Sequence, residues 1–270
     1  MGVMGQHPRE ALLACAAGDG DAAEGALWLA AEDVPGVHPN EWLHRIDELS
    51  NELRARSGAG GGAQARHPVI AELLRERLRL RGSGGGDPRA HYLHHVLQRG
   101  TGVPIACAVI WIALGRRAGI PVEGVNLPGH FIVRVDGELI DPIASGEALD
   151  EQDVRALVST SAGRQPRGLD PAWLKVANTR DVLARMSRNL RGCYACQENW
   201  PLALRAADRC VDLLPDDASE RRDRGLLLWR MGRSSGALDD LRAYLERAPS
   251  DAPDRGSVIE ITGRLRAFLN

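Results

Sequence analysis

The spacing of apolar residues in the N-terminal part of the chain predicts three amphipathic helices. They cover residues 9–31, 40–56 and 68–80 and carry their apolar residues on one side. Two glycine-rich segments, 58–63 and 82–88, follow the second and third helices. Glycine clusters of this kind are typical of turns and loops, so we expect a helical N-terminal region with two breaks.

The most apolar segment of the chain predicts a buried helix. A short helix is expected over residues 90–99, followed by a turn and a helix that begins at Pro104. Residues 105–114 (IACAVIWIAL) are apolar nearly all round, which is typical of a helix inside a domain. Proline suits the first helical position, and Gly119 suits the residue that ends the helix near residue 118. Replacing Ile112 with alanine is therefore expected to lower the free energy of unfolding substantially.

Three short segments after this helix predict β-strands. They cover residues 122–127, 131–135 and 139–140 and are rich in β-branched residues. The dipeptides Pro-Gly and Asp-Gly separate them and are typical of turns. We expect a small antiparallel sheet that packs on the buried helix.

The C-terminal third contains an internal repeat. Ala203 and Ala237 lie 34 residues apart, as do Pro215 and Pro249, within two similar segments. A 34-residue period with small residues at helix crossings and proline after the second helix is typical of tetratricopeptide repeats. Residues 186–248 are therefore expected to form four helices in two hairpins, and a last helix is expected to cap the array.

The predicted fold class is α+β and mostly α. Residues 1–180 are expected to form a globular domain with N-terminal helices and a small antiparallel sheet. Residues 181–270 are expected to form the repeat array with its capping helix. A chain of 270 residues is long enough for two such cores.

Composition and charge narrow the class of partner. The 34 basic and 36 acidic residues give a net charge of −2, so we expect neither nucleic acid nor an anionic membrane as a partner. Residues 105–114 are too few to span a bilayer, which needs about 20. Five scattered cysteines and a start without a signal-peptide pattern indicate a cytoplasmic protein with free thiols.

Two polar residues of the predicted strands are candidates for chemistry. His130 directly precedes the predicted strand 131–135, in LPGHFIVRV, and Asp141 directly follows the predicted strand 139–140, in ELIDP. A histidine and an aspartate on neighbouring antiparallel strands can lie about 5 Å apart at their Cβ atoms. Such an aspartate fixes the tautomer of the histidine, which a base for a thiol or hydroxyl nucleophile requires.

A longer segment around these residues resembles a known family. The run YLHHVLQRGTGVPIACAVIWIALGRRAGIPVEGVNLPGHFIVRVDGELIDPIASGEAL is similar to the core of the transglutaminase-like superfamily. It resembles the bacterial SirB-type, invasion-regulator-like group, in which tetratricopeptide repeats follow that core. The resemblance covers about residues 22–247. It implies a cysteine-protease-like core, with His130 and Asp141 matching the catalytic histidine and aspartate, and a regulatory role. Pro104 stands where catalytic relatives carry the nucleophilic cysteine.

These observations favour a protein-binding or peptide-binding regulatory protein with a degenerate transglutaminase-like cleft. The groove of the repeats and the cleft at His130 would hold the partner. The alternative is a thiol-dependent acyl-transfer or hydrolase enzyme acting on peptide amides, with catalytic residues Cys107, His130 and Asp141. Cys107 lies one helical turn beyond Pro104, but its apolar neighbours favour a core cysteine. A third possibility is base chemistry by the histidine and aspartate alone. The pair could equally be structural, with Asp141 accepting hydrogen bonds from turn amides.

Other motifs predict no cofactor and no metal. The histidines of HYLHH have a spacing that could hold a metal, but no carboxylate or cysteine accompanies them. Cys193 and Cys196 form a single C-x-x-C without a second pair, and we expect them to pack between helices. Arg99 could bind an anion, although capping of helix carbonyls is the favoured interpretation.

Overall fold

The computed structural model describes residues 7–18, 20–58, 65–144, 146–162 and 168–269. It divides into two compact units, Met1–Met186 and Ser187–Asn270, and the division falls inside one helix. The α-helices are α1 Pro8–Ala16, α2 Ala22–Asp33, α3 Pro39–Gly58, α4 His67–Arg77, α5 Leu93–Arg99, α6 Pro104–Ala118, α7 Glu151–Ala162, α8 Thr179–Cys196, α9 Trp200–Leu213, α10 Ala218–Arg230, α11 Ser234–Arg247 and α12 Arg255–Leu269. The strands are β1 Arg81–Gly82, β2 Thr101–Gly102, β3 Val122–Leu127, β4 His130–Val135, β5 Glu138–Ile140, β6 Ala148–Leu149 and β7 Val176–Ala177.

The expected single helix over residues 9–31 is wrong, because the chain forms α1 and α2 with a break between them. Asp21 begins the second helix, since its carboxylate accepts a hydrogen bond of 2.8 Å from the N–H of Ala23. At the break, a Cβ on Gly20 would lie 2.0 Å from the carbonyl oxygen of Cys15, so only glycine fits there. The expected helix over residues 90–99 is likewise two elements, a 3-10 helix over Pro88–His91 and then α5.

Helix α6 forms the centre of the first unit. It packs against α2, α3 and α5 and against strands β3 and β4. Every residue from Ile105 to Leu114 is buried except Ile112, which is partly exposed. The prediction of a buried central helix is confirmed, and the choice of Ile112 as a core position is corrected.

The main sheet has five antiparallel strands in the order β6-β5-β4-β3-β7. The three predicted strands are confirmed, whereas β6 and β7 were not predicted. One face lies on α6, where a Cβ on Gly124 would come within 3.2 Å of Ile112. On the other face Val125 and Ile132 pack with Val154 and other apolar residues of α7. Because helices cover both faces, β4 is apolar along most of its length.

The second unit consists of helices that pack in sequence, α9 on α10, α10 on α11 and α11 on α12. The predicted helices over residues 186–248 are confirmed, together with the last helix. Small residues lie where helices cross: a Cβ on Gly225 would lie 2.9 Å from the side chain of Leu241. Ala203 and Ala237, the repeat positions 34 residues apart, are both fully buried.

Helix α10 places a buried carboxylate inside this unit. The side chain of Glu220 is 2% exposed and lies between two arginines of α8. One oxygen accepts a hydrogen bond from Nε of Arg188, and the other accepts one of 2.5 Å from Arg191. Asp217 and Asp223 also pair with these arginines, so two guanidinium groups contact three carboxylates.

Candidate functional site

His130 and Asp141 come from neighbouring strands of the main sheet. His130 is the first residue of β4, and Asp141 directly follows the last residue of β5. The register pairs Val133 with Ile140. Asp141 therefore lies two residues along its strand from the position opposite His130, a diagonal neighbour within reach of a side-chain contact.

The two side chains form a hydrogen-bonded pair. Nε2 of His130 lies 3.1 Å from Oδ2 of Asp141, and the side chains are 13% and 9% exposed. An ionised carboxylate only accepts hydrogen bonds, so Nε2 carries the proton. In the neutral imidazole Nδ1 is then the acceptor, and no described residue forms a hydrogen bond to it. The pair can therefore exchange a proton or a hydrogen bond with a bound group at Nδ1.

The orientation of Asp141 also depends on a backbone N–H of the turn that follows it. Its Oδ1 accepts a hydrogen bond of 3.1 Å from the N–H of Ile143, so both carboxylate oxygens are occupied. The Asp-Pro dipeptide at residues 141–142 was the available signal, because aspartate before a turn commonly accepts a hydrogen bond from the amide two residues later.

Cys107 lies in the interior of the first unit. It is fully buried, and its N–H bonds to the carbonyl of Val103 in the first turn of α6. The pKa of its thiol is raised to about 12, by burial first and by the negative charge of Asp141 second. The raised pKa keeps the thiol protonated near neutral pH. A nucleophilic cysteine needs the opposite shift of its pKa.

The start of α6 carries no thiol. Pro104 is its first residue and Val103 its N-cap, so the chain has a rigid ring where the resemblance places a nucleophile. The other cysteines do not replace it. None of the five forms a disulfide; Cys15, Cys193 and Cys210 are buried, and Cys196 is exposed. The expectation that both cysteines of the C-x-x-C pack between helices is therefore wrong for Cys196.

The three histidines of the HYLHH motif have separate surroundings. Nε2 of His91 lies 3.1 Å from the carbonyl oxygen of Gly85. The ring of His94 is close to those of Trp42 and His95, and burial lowers its pKa to about 4. Across the described ranges no three metal-ligating side chains of the types His, Cys, Asp and Glu lie together.

Comparison with known proteins shows to which protein family the chain belongs. A family model for the transglutaminase-like superfamily matches residues 40–188, and a model for the tetratricopeptide repeat matches residues 190–261. The chain therefore belongs to the transglutaminase-like superfamily, in its SirB-type group with C-terminal tetratricopeptide repeats.

Curated relatives support this placement. A UPF0162 protein of Xylella fastidiosa is 42% identical over 234 residues, 83% of each chain. A UPF0162 protein of Pseudomonas aeruginosa is 36% identical over 88% of this chain and 89% of its own length. Protein SirB1 of Salmonella typhimurium is 30% identical over 60% of this chain and 61% of its own. No solved structure matches the chain significantly.

The two domains together indicate a role in protein interaction or regulation, because tetratricopeptide repeats are protein-binding scaffolds. Among the described residues, none of the helices has the length and apolar character that crossing a membrane would require.

Proposed function

We propose that this chain is a regulatory protein that binds a protein or peptide partner, and that its transglutaminase-like domain contributes recognition without covalent catalysis. One observation carries the proposal: the His130–Asp141 pair is ordered and open at Nδ1, while the thiol of Cys107 is buried with a raised pKa. A histidine held in this way can hydrogen bond to a peptide amide without a nucleophile beside it.

The repeats supply the second binding element of the proposal. Repeat arrays of this type expose extended surfaces that hold peptides. Trp229 on α10 keeps 40% of its surface exposed, and exposed tryptophans are enriched where proteins bind one another. Free cysteines suit the cytoplasm, where we propose that binding takes place.

The thiol enzyme remains the rival function, and it requires a reactive Cys107. We expect native Cys107 to react with iodoacetamide at least about 100-fold more slowly than in the urea-unfolded chain, because only the thiolate reacts. Its rate should rise with pH from 7 to 10 without a plateau, since its pKa of about 12 lies above that range. Mass spectrometry of the labelled peptides measures each cysteine separately.

Cys196 is the internal control for this labelling, because it is exposed in the folded chain. It should react at similar rates in the native and unfolded chains. Rapid labelling of native Cys107, with a plateau below about pH 9, would instead favour the acyl-transfer or hydrolase function.

Partner capture tests the role of His130. We expect the intact wild-type chain to retain a partner from bacterial lysate, and His130→Ala to lose it at least about tenfold, because the hydrogen bond at Nδ1 disappears. Cys107→Ala should retain the partner. Quantitative mass spectrometry of the captured proteins compares the variants, and circular dichroism checks that each one folds.

The variant Trp229→Ala distinguishes binding by the repeats from binding by the cleft at His130. If the partner is lost only with Trp229→Ala and not with His130→Ala, the repeats bind it without the transglutaminase-like domain, and the proposed role of His130 is wrong. If Cys107→Ala and His130→Ala both lose an activity on peptide amides, the protein is an enzyme.

A further inference from the structure

A second candidate site lies in the first unit, in a cavity of about 360 Å³ that arginines surround. Three segments form it: the chain around β1, the start of the 3-10 helix at Pro88–His91, and the end of α5 with β2. Arg81, Arg89 and Arg99 come from these three segments respectively and all line the cavity. The site is separate from the hydrogen-bonded pair described above.

Local backbone geometry brings these arginines together. Strands β1 and β2 are parallel and pair Arg81 with Thr101. Gly100 ends α5 in the left-handed region with φ 68°, and a Cβ there would lie 1.9 Å from the carbonyl oxygen of Leu78. Only glycine can make this turn, which carries the chain from Arg99 directly into β2.

Two of the three guanidinium groups have no carboxylate partner among the described residues. Arg89 pairs with Asp87 through bonds of 3.0 and 3.1 Å. Among the described residues, the guanidinium of Arg81 has one partner: its Nε lies 3.1 Å from Oγ1 of Thr101, and its terminal nitrogens form no hydrogen bond. No described residue forms a hydrogen bond or ion pair with Arg99. Three arginines and one aspartate leave two positive charges around the cavity.

The arginines also affect His95, a neighbouring residue of the cavity. Its ring also lines the cavity, and its pKa is lowered by burial first and then by the charges of Arg89 and Arg99. The lowered pKa favours the neutral imidazole, so the positive charge around the cavity comes from the arginines. It can act as a hydrogen-bond donor or acceptor to a bound group.

We propose that this arginine pocket binds the dianionic phosphate of a phosphate monoester. A dianion balances the two excess charges, whereas a carboxylate or a phosphodiester carries one. Planar guanidinium groups donate paired hydrogen bonds to phosphate oxygens, and the hydroxyls of Ser83 and Thr101 add polar atoms. The volume lies at the lower end for small-molecule sites, which suits a phosphate with a small attached group.

The position of the pocket suggests how its ligand could be presented. Gly82 lies between two lining residues, and a Cβ on it would come within 2.6 Å of the side chain of Ile143. The N–H of Ile143 holds Asp141, so the pocket adjoins the turn that orients the His130–Asp141 pair. The phosphate could belong to a free metabolite or to a phosphorylated side chain of a peptide. The pocket can bind either one whether or not His130 contacts a partner.

Calorimetric titration of the intact chain with inorganic phosphate, at constant ionic strength, tests the pocket. We expect saturable binding in the wild type and about tenfold or greater weakening in Arg99→Gln, because a charged hydrogen-bond donor is lost. Arg75→Gln is the matched control. Arg75 is an exposed arginine of α4 outside the pocket, with its nearest carboxylate at 3.8 Å, and its variant should bind like the wild type.

A second titration distinguishes the sources of the phosphate. A phosphoserine peptide that binds more tightly than inorganic phosphate, again dependent on Arg99, supports the pocket and identifies a side chain as the source. Equal binding supports the pocket and a free metabolite. The proposal is overturned if phosphate does not bind at millimolar concentration, if Arg99→Gln binds like the wild type, or if an oligonucleotide without terminal phosphates binds more tightly through Arg99.

Discussion

Replacing Ile110 with alanine is expected to lower the free energy of unfolding of the first unit by about 2–5 kcal/mol. Ile110 is fully buried in α6, which packs against three helices and the main sheet. Truncation leaves a cavity that this close packing can fill only in part, so the lost contacts add to the lost hydrophobic burial. Hydrogen-exchange mass spectrometry measures the change for each unit separately.

The matched control is Ile112→Ala in the same helix. Ile112 is partly exposed and lines a groove, so its truncation removes similar atoms without leaving an enclosed cavity. We expect Ile112→Ala to lower the free energy of unfolding by about 1 kcal/mol. Equal costs for the two variants, or a cost below about 1 kcal/mol for Ile110→Ala, would mean that α6 is not the centre of the core.

The sequence predicts α6 well because the residue types at its two ends determine where the helix begins and ends. Pro104 and Gly119 restrict the backbone by their own structure, and the apolar run between them needs burial whatever its neighbours are. The exposure of Ile112 was not predictable, because it depends on where the groove opens. A helix that is apolar all round carries no periodic signal of which side is covered least.

Elements that depend on distant partners were missed. Strand β7 has two residues, and it is a strand only because Val176 and Ala177 pair with β3. The same holds for β6, which pairs with the end of β5. The break between α1 and α2 was missed for a related reason, since apolar residues continue on both sides of it.

The proximity of His130 and Asp141 follows from the two strand segments and the short turn between them, so the sequence could predict it. The burial of Cys107 was also the favoured expectation, because its sequence neighbours are apolar. The hydrogen bond from Ile143 and the arginine pocket need the tertiary structure, since Arg81 and Arg99 meet only through the β1–β2 pairing. The catalytic or binding roles of these residues stay predictions.

Replacing Glu220 with alanine is expected to lower the free energy of unfolding of the second unit by about 3–5 kcal/mol, the range for breaking a buried ion pair. Its carboxylate is almost completely buried and accepts hydrogen bonds from Arg188 and Arg191. Without it, two partly buried guanidinium groups lose their shared partner, and each keeps one more exposed carboxylate, Asp217 for Arg188 and Asp223 for Arg191. Hydrogen exchange in α9 and α10 measures the loss.

Two comparisons make this expectation specific. Glu246→Ala, at an exposed position of α11 in the same unit, should change the free energy of unfolding by less than about 0.5 kcal/mol. In a double-mutant cycle, Glu220→Ala combined with Arg191→Ala should cost about 1–3 kcal/mol less than the sum of the single variants, because both single variants lose the same Glu220–Arg191 hydrogen bond. Additive costs would mean that the Glu220–Arg191 pair contributes nothing to the stability of the second unit.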